Sequence, residues 1–222
     1  MIACAFVSTT MQGQTTRTVN TQDYDEIDAR GSMNVVLQKG TEGTIQIIAE
    51  EKAQEYVSVK SNGKTLIISL KKNLYKVSKK GVKVIVPFND LNQVSLKGSG
   101  EVTSKETINA STFVTHLNGS GDVNLKVAAT TVEASLNGSG DIELSGNATN
   151  LEVSMTGSGD IDALQLRTQN TDANLTGSGD ITVHASNNIN AVVRGSGDIE
   201  YAGNPEVKNT KVYGSGDIDP RN

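Results

Sequence analysis

Gly138-Ser139-Gly140-Asp141-Ile142 is the stretch that decides the fold of this chain, because close copies of it recur through the second half of the sequence. Copies with the same first four residues begin at Gly119, Gly157, Gly177, Gly195 and Gly214, and a variant with Glu101 in the acid position begins at Gly98. Successive starts lie 21, 19, 19, 20, 18 and 19 residues apart. A fixed period of this kind is typical of repeat architectures, in which stacked units share one core.

The motif alternates in the way a β-strand does, with successive side chains on opposite faces. One face carries Leu136, Gly138, Gly140, Ile142 and Leu144, and the other carries Asn137, Ser139, Asp141 and Glu143. Two columns are aliphatic in every copy. Two residues before the first glycine stand Leu96, Leu117, Leu136, Met155, Leu175, Val193 and Val212. Directly after the acid stand Val102, Val123, Ile142, Ile161, Ile181, Ile199 and Ile218.

We therefore predict an all-β fold, a right-handed parallel β-solenoid (β-helix) with one rung of about 19 residues per repeat and rungs about 4.8 Å apart. The paired glycines are predicted to face inward, where the coil bends or two walls approach and no side chain fits. They include Gly119, Gly121, Gly138, Gly140, Gly157, Gly159, Gly177, Gly179, Gly195 and Gly197. An antiparallel β-sandwich is the alternative, but near-identical repeats at the spacing of a full rung disfavour it.

The composition narrows the class of protein. The 222 residues are 36% hydrophobic and only 4% aromatic, without Trp, so the core must be aliphatic, which suits a thin solenoid. The net charge is -5 and the repeats have no basic stripe, so we predict no nucleic-acid partner. Cys4 is the single cysteine, which excludes a disulfide framework within the chain. No apolar run reaches the roughly 18 residues of a membrane span.

Residues 1–19 are interpreted as signal-like or disordered, because MIACAFVSTTMQG begins small and apolar and then becomes polar. The stretch fits the end of a secretory signal whose basic start is missing. Met-Ile-Ala-Cys also loosely resembles a lipoprotein cleavage box with Cys4 as the lipidated residue, and a short disordered terminus stays open as well. We favour export, with a precursor that begins upstream of Met1 or loses residues 1–13.

Residues 20–93 are predicted to be a β-rich region that caps the solenoid, since an open end would expose core and strand edge. Gly31-Ser32-Met33-Asn34 is a degenerate first copy of the motif, with Ala29 in the aliphatic column. Asn62-Gly63 lies between two alternating stretches and predicts a hairpin. Residues 50–55 could form one helical turn.

The rest of this region predicts a strand that Pro87 ends, preceded by the basic segment Lys71–Lys80. That segment is either a patch for anions or membrane surfaces or a solvated loop. Residues 94–222 contain the solenoid repeats, and we expect residues 20–222 to form one continuous domain.

The repeats and the start Tyr-Asp-Glu-Ile-Asp-Ala-Arg-Gly-Ser-Met-Asn-Val-Val-Leu from Tyr24 onward resemble the putative auto-transporter adhesin, head GIN domain family, a domain family of unknown function frequent in Bacteroidetes-type bacteria. The resemblance covers roughly residues 22–218. It implies an exported or envelope-associated β-helical protein, and it brings no catalytic residues to carry over.

The column of acidic residues in the motif is the strongest candidate for a functional site. It contains Glu101, Asp122, Asp141, Asp160, Asp180, Asp198 and Asp217. Three interpretations remain open. The carboxylates could accept hydrogen bonds from Ser hydroxyls or Gly amides at a turn. The six aspartates could bind cations such as Ca²⁺, although the Gly-Gly-x-Gly-x-Asp β-roll motif and its nine-residue period are absent. Neighbouring acids could act as an acid/base pair on a glycan.

No catalytic residue or cofactor is predicted. The motif serines would need a base and an orienting group to act as nucleophiles. The two histidines, His116 and His184, lie outside the motif and are expected to point outward. A Walker loop, a Cys-x-x-Cys pair and a His-Glu-x-x-His zinc signature are all absent from the sequence.

These observations favour a non-enzymatic secreted or cell-surface protein of the bacterial envelope, an adhesin that binds through its repetitive β-faces. The expected partner is a glycan or a matrix or envelope protein, and a homo-oligomer is left open. The alternatives are a purely structural envelope scaffold and a carbohydrate-active β-helix enzyme. Columns of exposed aromatic residues would favour a glycan, but the last rungs offer only Tyr201 and Tyr213.

Overall fold

The structure, a computed structural model, describes residues 13–71 and 80–221. It is a β-solenoid of about 7 turns, with 72% strand and 2% helix, which confirms the all-β solenoid prediction. Residues 1–12 of the signal-like stretch, with Cys4, fall outside the described residues, as do Lys72, Lys76 and Lys79 of the basic segment, whereas residues 15–19 of that stretch belong to a β-strand, Thr15–Asn20. No helix in the described ranges is long and apolar enough to cross a membrane.

Two walls form the coil, and we call the wall whose strands lead into the motif sheet A. Numbering the strands in chain order, sheet A runs through β5 (Val57–Asn62), β6 (Thr65–Leu70), β2 (Glu26–Arg30), β8 (Gln93–Gly98), the later parts of β9 (Glu101–Gly119), β10 (Asp122–Gly138) and β11 (Asp141–Gly157), then β13 (Asn170–Gly177), β15 (Asn188–Gly195) and β17 (Val207–Gly214). All of these neighbours pair in parallel except the hairpin strands β5 and β6.

Sheet B is the wall whose strands leave the motif. It runs through β1 (Thr15–Asn20), β4 (Thr44–Ala49), β7 (Lys83–Phe88), β3 (Asn34–Lys39), the early parts of β9, β10 and β11, then β12 (Asp160–Arg167), β14 (Ile181–His184), β16 (Ile199–Ala202) and β18 (Ile218–Pro220). Pairing is antiparallel between β1 and β4 and between β4 and β7, and parallel elsewhere.

The repeats stack in the predicted register. Ile142 lies beside Ile161, and Ile161 lies beside Ile181, all in parallel strands. The aliphatic column before the motif stacks in the same way, as Leu136 beside Met155 shows, and both are buried. The polar residues of each strand alternate with these and point outward. The core between the two walls is a narrow and largely aliphatic stack, which also includes Tyr24, Phe88 and Phe113.

The stacked glycines of neighbouring rungs lie too close together for any side chain. The prediction that no side chain fits there is correct, but the cause is the adjacent rung and not the approach of the opposite wall. A Cβ atom on Gly159 would lie 1.9 Å from the carbonyl oxygen of Gly140 in the rung below. The same distance is between 1.8 and 2.3 Å for Gly119, Gly121, Gly138, Gly140, Gly157, Gly177, Gly179, Gly195 and Gly197. The first glycine of each pair also has a positive φ, +142° at Gly157, which L-residues rarely adopt.

The degenerate first copy takes its place inside the stack rather than at its end. Strand β2 lies between β6 and β8, so the first rung in the sequence is not the first rung in space. Ala29 stands beside Leu96, and Asn34 stands beside Glu101, as the motif alignment predicts. The hydroxyls of Ser32 and Ser99 are 3.1 Å apart.

The N-terminal end is closed by a hairpin, two antiparallel strands and one helical turn. The predicted hairpin is confirmed, with a two-residue loop at Gly63–Lys64 between β5 and β6. The helical turn is α1 (Glu51–Gln54), where Gln54 donates a hydrogen bond of 2.9 Å to the hydroxyl of Thr15. Arg17 on β1 donates a bond of 2.8 Å to the carbonyl of Val57 on β5, and so joins the outermost strands of both sheets.

Strand β7 does not end before Pro87, contrary to the sequence expectation, but continues to Phe88. Proline has no N–H to donate and is tolerated where one side of a strand is unpaired. The antiparallel pairing of β7 with β4 extends only from Lys83 to Ile85 on the β7 side, so Pro87 lies beyond it. The other edge of β7 pairs with β3, where Pro87 stands beside Gln38.

The C-terminal end lacks a comparable cap among the described residues. Strand β17 pairs only with β15, and β18 pairs only with β16. Every residue of β17 is exposed, whereas alternate residues of β15 are buried. The last rung therefore leaves a strand edge and part of the core face uncovered.

Candidate functional site

The outward face of sheet A carries a shallow polar groove in the last three rungs. Its volume is about 360 Å³, and its lining residues are Asp172, Asn174, Asn190, Val192, Asn209 and Lys211. We call this surface the polar groove. It lies outside the motif, on residues that the motif pattern does not indicate.

The strand alternation builds this groove. The inward neighbours Thr171, Ala173 and Leu175 are buried, so Asp172 and Asn174 must point outward. The register then aligns two columns: Asp172 with Asn190 and Asn209, and Asn174 with Val192 and Lys211. Polar atoms therefore repeat along the groove at the strand spacing of about 4.8 Å. In the sequence, this surface is indicated only by the polar residues that alternate with apolar ones in the segments between the motifs.

The lining groups can both donate and accept hydrogen bonds. The asparagine amides do both, the Asp172 carboxylate accepts, and the Lys211 ammonium donates. One aromatic ring lies in the adjacent column: Tyr213 is 57% exposed, and the Arg194 guanidinium is 5.4 Å from its centroid. Tyr201, the other tyrosine that the sequence offered, is only 5% exposed and points into the core.

The acid column of the motif forms a hydrogen-bonded ladder on the other side of the turn. The Oδ1 atom of Asp160 accepts the backbone amide of Asp180 at 3.0 Å. Asp141, Asp180 and Asp198 accept the amide of the next acid in the same way, at 2.8–3.1 Å. The donor is thus the backbone of the following rung, rather than the Ser hydroxyl or Gly amide that the sequence suggested.

A second outward column on sheet B lies beside this ladder, and its side chains also form hydrogen bonds. Asp162 accepts hydrogen bonds from the hydroxyl of Thr182 at 2.8 Å and from the amide of Leu164 at 3.0 Å. Asn124 donates to the carboxylate of Glu143. Within the described residues, no group of three or more His, Cys, Asp or Glu side chains is arranged to hold a metal ion. The calcium candidates Asp122, Asp141, Asp160, Asp180, Asp198 and Asp217, all among these described residues, therefore form no such group.

Both histidines have specific partners. His116 lies on the outward face of sheet A, where its Nδ1 is 2.5 Å from the hydroxyl of Ser135. The 19-residue separation of His116 and Ser135, one rung of the repeat, is the feature of the sequence that indicates this pair, and Ser135 lies outside the motif. No carboxylate bonds to His116 among the described residues, so the pair lacks the orienting group of a catalytic triad. His184, expected to point outward, is half-buried, with Nδ1 3.3 Å from the amide of Thr168.

A second depression, of about 670 Å³, lies where loops meet near the N-terminal cap and is lined by Asp23, Asp25, Lys39, Gly40, Thr41, Glu42, Asn89 and Asp90. Its carboxylates hold the loops together. Glu42 accepts the amides of Tyr24 at 2.8 Å and Asn89 at 3.0 Å. Asp25 pairs with Lys64 at 2.5 Å. Burial, followed by Glu42 and Asp23, raises the pKa of the Tyr24 hydroxyl, which donates to the carbonyl of Pro87.

Asp28 is a nearly buried carboxylate on the outward face of sheet A. Its Oδ2 atom accepts hydrogen bonds from Arg30 at 2.5 Å and from Lys97 at 3.2 Å. Burial by itself would raise the pKa of Asp28, but the hydrogen bonds and charges of these two cations outweigh it and lower the pKa. The group therefore stays ionised and pins the first rung to its neighbour.

Comparison with known proteins finds one matching family and several similar solved structures. The profile of one family, described as "Putative auto-transporter adhesin, head GIN domain", matches residues 23–205. A putative adhesin from Bacteroides fragilis is 27% identical, with a TM-score of 0.86 over 95% of this chain and 98% of its own. No curated protein matches the chain.

Two further solved structures share the fold at lower identity. A putative lipid binding protein from Parabacteroides distasonis is 24% identical, with a TM-score of 0.75 over 95% of this chain and 98% of that one. A putative adhesin from Parabacteroides merdae is 20% identical, with a TM-score of 0.72 over 95% and 97%.

Proposed function

The chain belongs to the putative auto-transporter adhesin, head GIN domain family, and from that premise we propose that it is a non-enzymatic adhesin of the bacterial surface that binds a glycan through the polar groove. Family membership and the β-solenoid fold support the adhesin-like role at the coarse level. The ligand and its binding face are our proposal.

The observation that carries the proposal is the composition of the groove. Asn190 and Asn209 offer paired donors and acceptors, which match the alternating donors and acceptors of sugar hydroxyls. The apolar side chain of Val192 lies in the next column, and the exposed ring of Tyr213 lies one column further along β17; both offer surfaces for the faces of a sugar ring. A single site of this depth would bind weakly.

Repetition along sheet A would strengthen that weak contact. The outward column before the motif contains Glu133, Glu152, Asp172, Asn190 and Asn209, one residue in each rung. A repetitive polymer could meet several of these groups at once, and linked weak contacts raise the effective affinity strongly.

A binding experiment with matched asparagine variants tests the groove. The full chain is screened against an array of bacterial and host glycans together with matrix and envelope proteins. We expect Asn190→Ala to weaken binding to the glycan found by about threefold to tenfold, the effect of one lost hydrogen bond. Asn137→Ala, an exposed asparagine of sheet A outside the groove, should leave binding unchanged.

The other outcomes separate the alternative functions. Binding of no glycan or protein would favour the envelope scaffold. Binding that Asn190→Ala and Asn137→Ala reduce equally would place the site elsewhere. Cleavage of a bound glycan would favour the carbohydrate-active enzyme, which the short turns of the repeats and the shallow groove disfavour.

Export is the second part of the proposal. We propose that the mature protein is secreted or held in the outer envelope, as expected for an adhesin. The test is fractionation of the native cells with sequencing of the mature N-terminus. A cytoplasmic protein that retains residues 1–13 would overturn this part, and a lipid on Cys4 would identify the anchor.

A further inference from the structure

The exposed apolar residues of this protein are concentrated on one strand. Among the residues that the structure describes, the large apolar side chains classed as exposed are Val207, Val212 and Tyr213, at 48%, 42% and 57%. All three lie on β17, the last strand of sheet A. Val207 and Tyr213 point outward with the parity of Asn209, whereas Val212 continues the inward column of Val193.

One edge of the same strand pairs with no other strand among the residues that the structure describes. The amide of Val207 donates to the carbonyl of Asn187 at 3.2 Å, so the odd-numbered residues of β17 direct their backbone groups toward β15. In parallel pairing, the alternate residues direct theirs to the opposite side. Lys208, Thr210 and Val212 therefore present N–H and C=O groups to open space. An edge of this kind is a template for another strand.

We propose that this edge is an interface between two copies of the chain. In this arrangement, β17 pairs antiparallel with β17 of a second copy around a two-fold axis through Thr210, and sheet A becomes continuous across both molecules. The inference goes beyond the proposed function and does not depend on it.

The sequence of β17 is self-complementary in this register. Val207 faces the partner's Tyr213 on the outward side, so two exposed apolar residues cover each other. Asn209 faces the partner's Lys211, and Lys208 faces the partner's Val212. The residues with free backbone groups, Lys208, Thr210 and Val212, meet each other, as antiparallel hydrogen bonding requires.

Neighbouring registers are less favourable. An axis through Lys208 would set that residue against its own copy, and an axis through Lys211 would do the same for that lysine. Like charges directly opposite each other destabilise a strand pair. An axis through Asn209 would set Val207 against a lysine. Shifts that pair odd with even positions would turn side chains to the wrong face.

Continuation by a further parallel rung is disfavoured by the inward residues of β17. Lys208 stands in the column of Ile189, and Thr210 stands in that of Ala191, so the aliphatic columns become polar at this end. The Lys208 ammonium lies 5.7 Å from the centroid of the Tyr201 ring, which shields part of the core. A two-fold contact closes after two copies and does not propagate.

The oligomeric state of the full chain tests the proposal. Sedimentation velocity over a range of concentrations should give a species of twice the chain mass of 23.4 kDa. Thr210→Pro removes a donor at the free edge without touching the pairing with β15, and we expect it to restore the monomer. Thr18→Pro is the matched control, since Thr18 lies on β1, the edge strand at the other end of sheet B.

A second variant guards against a local disturbance by proline. Tyr213→Lys should weaken dimerisation at least tenfold, because it removes the apolar pairing with Val207 of the other copy. Thr156→Lys, an exposed residue of the same outward column in an inner rung, should not. Circular dichroism identical to that of the unmodified chain confirms that each variant is folded.

Cross-linking tests the register in a Cys4→Ser background. Asn209→Cys and Lys211→Cys proteins should form a mixed disulfide dimer when combined, and each should cross-link poorly alone. A chain that is monomeric at every concentration would overturn the proposal. So would assemblies that grow beyond a dimer, or a dimer that Thr18→Pro disrupts and Thr210→Pro does not.

Discussion

At the scale of single residues, the glycine pair of the motif does more than allow a bend. Each pair brings the backbone of one rung so close to the carbonyl oxygen of the next that a methyl group has no room. The sequence predicted that these positions tolerate no side chain, since the glycines recur in a column. It could not identify the neighbour responsible, because that neighbour is a backbone atom about 19 residues away.

Gly159→Ala should destabilise the protein strongly. The new methyl group would meet the Gly140 carbonyl at 1.9 Å, so the rungs must separate locally. Overpacking usually raises the free energy of the folded state by about 1–3 kcal/mol, and Gly159→Val should exceed this. Urea denaturation measures the change, with Ser158→Ala at the exposed position between the glycines as the control. Equal midpoints for Gly159→Ala and the unmodified protein would contradict the close stacking.

Asp160→Asn separates the interpretations of the acid ladder. The amide oxygen can still accept the Asp180 amide, and repulsion from neighbouring acids decreases by about 0.8 kcal/mol per pair at 5 Å in water before screening. We expect the free energy of unfolding to change by less than about 1 kcal/mol. For each of the two proteins, the variant and the unmodified chain, the melting temperature with Ca²⁺ should equal that with chelator. A calcium-dependent rise in the unmodified protein that Asp160→Asn abolishes would show a cation site.

Asp28 should make stability depend on acid pH. Its pKa in the folded protein is lowered, so its contribution is complete above the ordinary value of about 3.9 and is lost as the pH falls through the lower folded value. Asp28→Asn should therefore reduce stability at pH 7 by about 1–3 kcal/mol and have little effect near pH 2. Denaturation at several pH values measures this, with Glu133→Gln, at an exposed acid on the outward face of sheet A, as the control. A loss that stays constant with pH would refute the assignment.

At the scale of elements, the repeats were predictable and the cap was only partly so. Rungs formed by β10 to β15 repeat one pattern, so local alternation and a fixed period determine their register. The position of β2 between β6 and β8 depends on contacts about 39 and 67 residues apart in the chain, which no local pattern encodes. The expectation that Pro87 ends its strand was wrong for a related reason, since only the pairing shows that one side of β7 has no partner there among the described residues.

Arg17→Ala should loosen the N-terminal cap without affecting the rungs. It removes the bond from β1 to the Val57 carbonyl on β5, which links the outermost strands of the two sheets. We expect amide hydrogen exchange to accelerate several-fold in both strands and to stay unchanged in β13. Lys60→Ala, an exposed substitution on β5, is the control. Uniform acceleration along the chain would mean that the cap and the rungs open together.

At the scale of the whole molecule, the two walls differ in character. Sheet B carries the acid ladder together with Glu143, Asp162, Glu200 and Asp219 in its next outward column. Sheet A mixes amides, acids and bases and carries the polar groove. The candidate site could not be predicted from the motif, because the motif builds the turn, while the groove arises from the variable residues between motifs.

The parallel stacking of the rungs also determines how the molecule would respond to tension. Hydrogen bonds between rungs run along the solenoid axis, so a force applied between the two ends of the described solenoid loads them one rung at a time, beginning at the rung of β17 and β18, which no described residue covers. Each rung released adds about 19 residues, or roughly 60 Å of extended chain after the rung height is subtracted. Single-molecule pulling should record a regular series of small steps of this length. A solenoid with this behaviour yields gradually and keeps its remaining rungs folded under load.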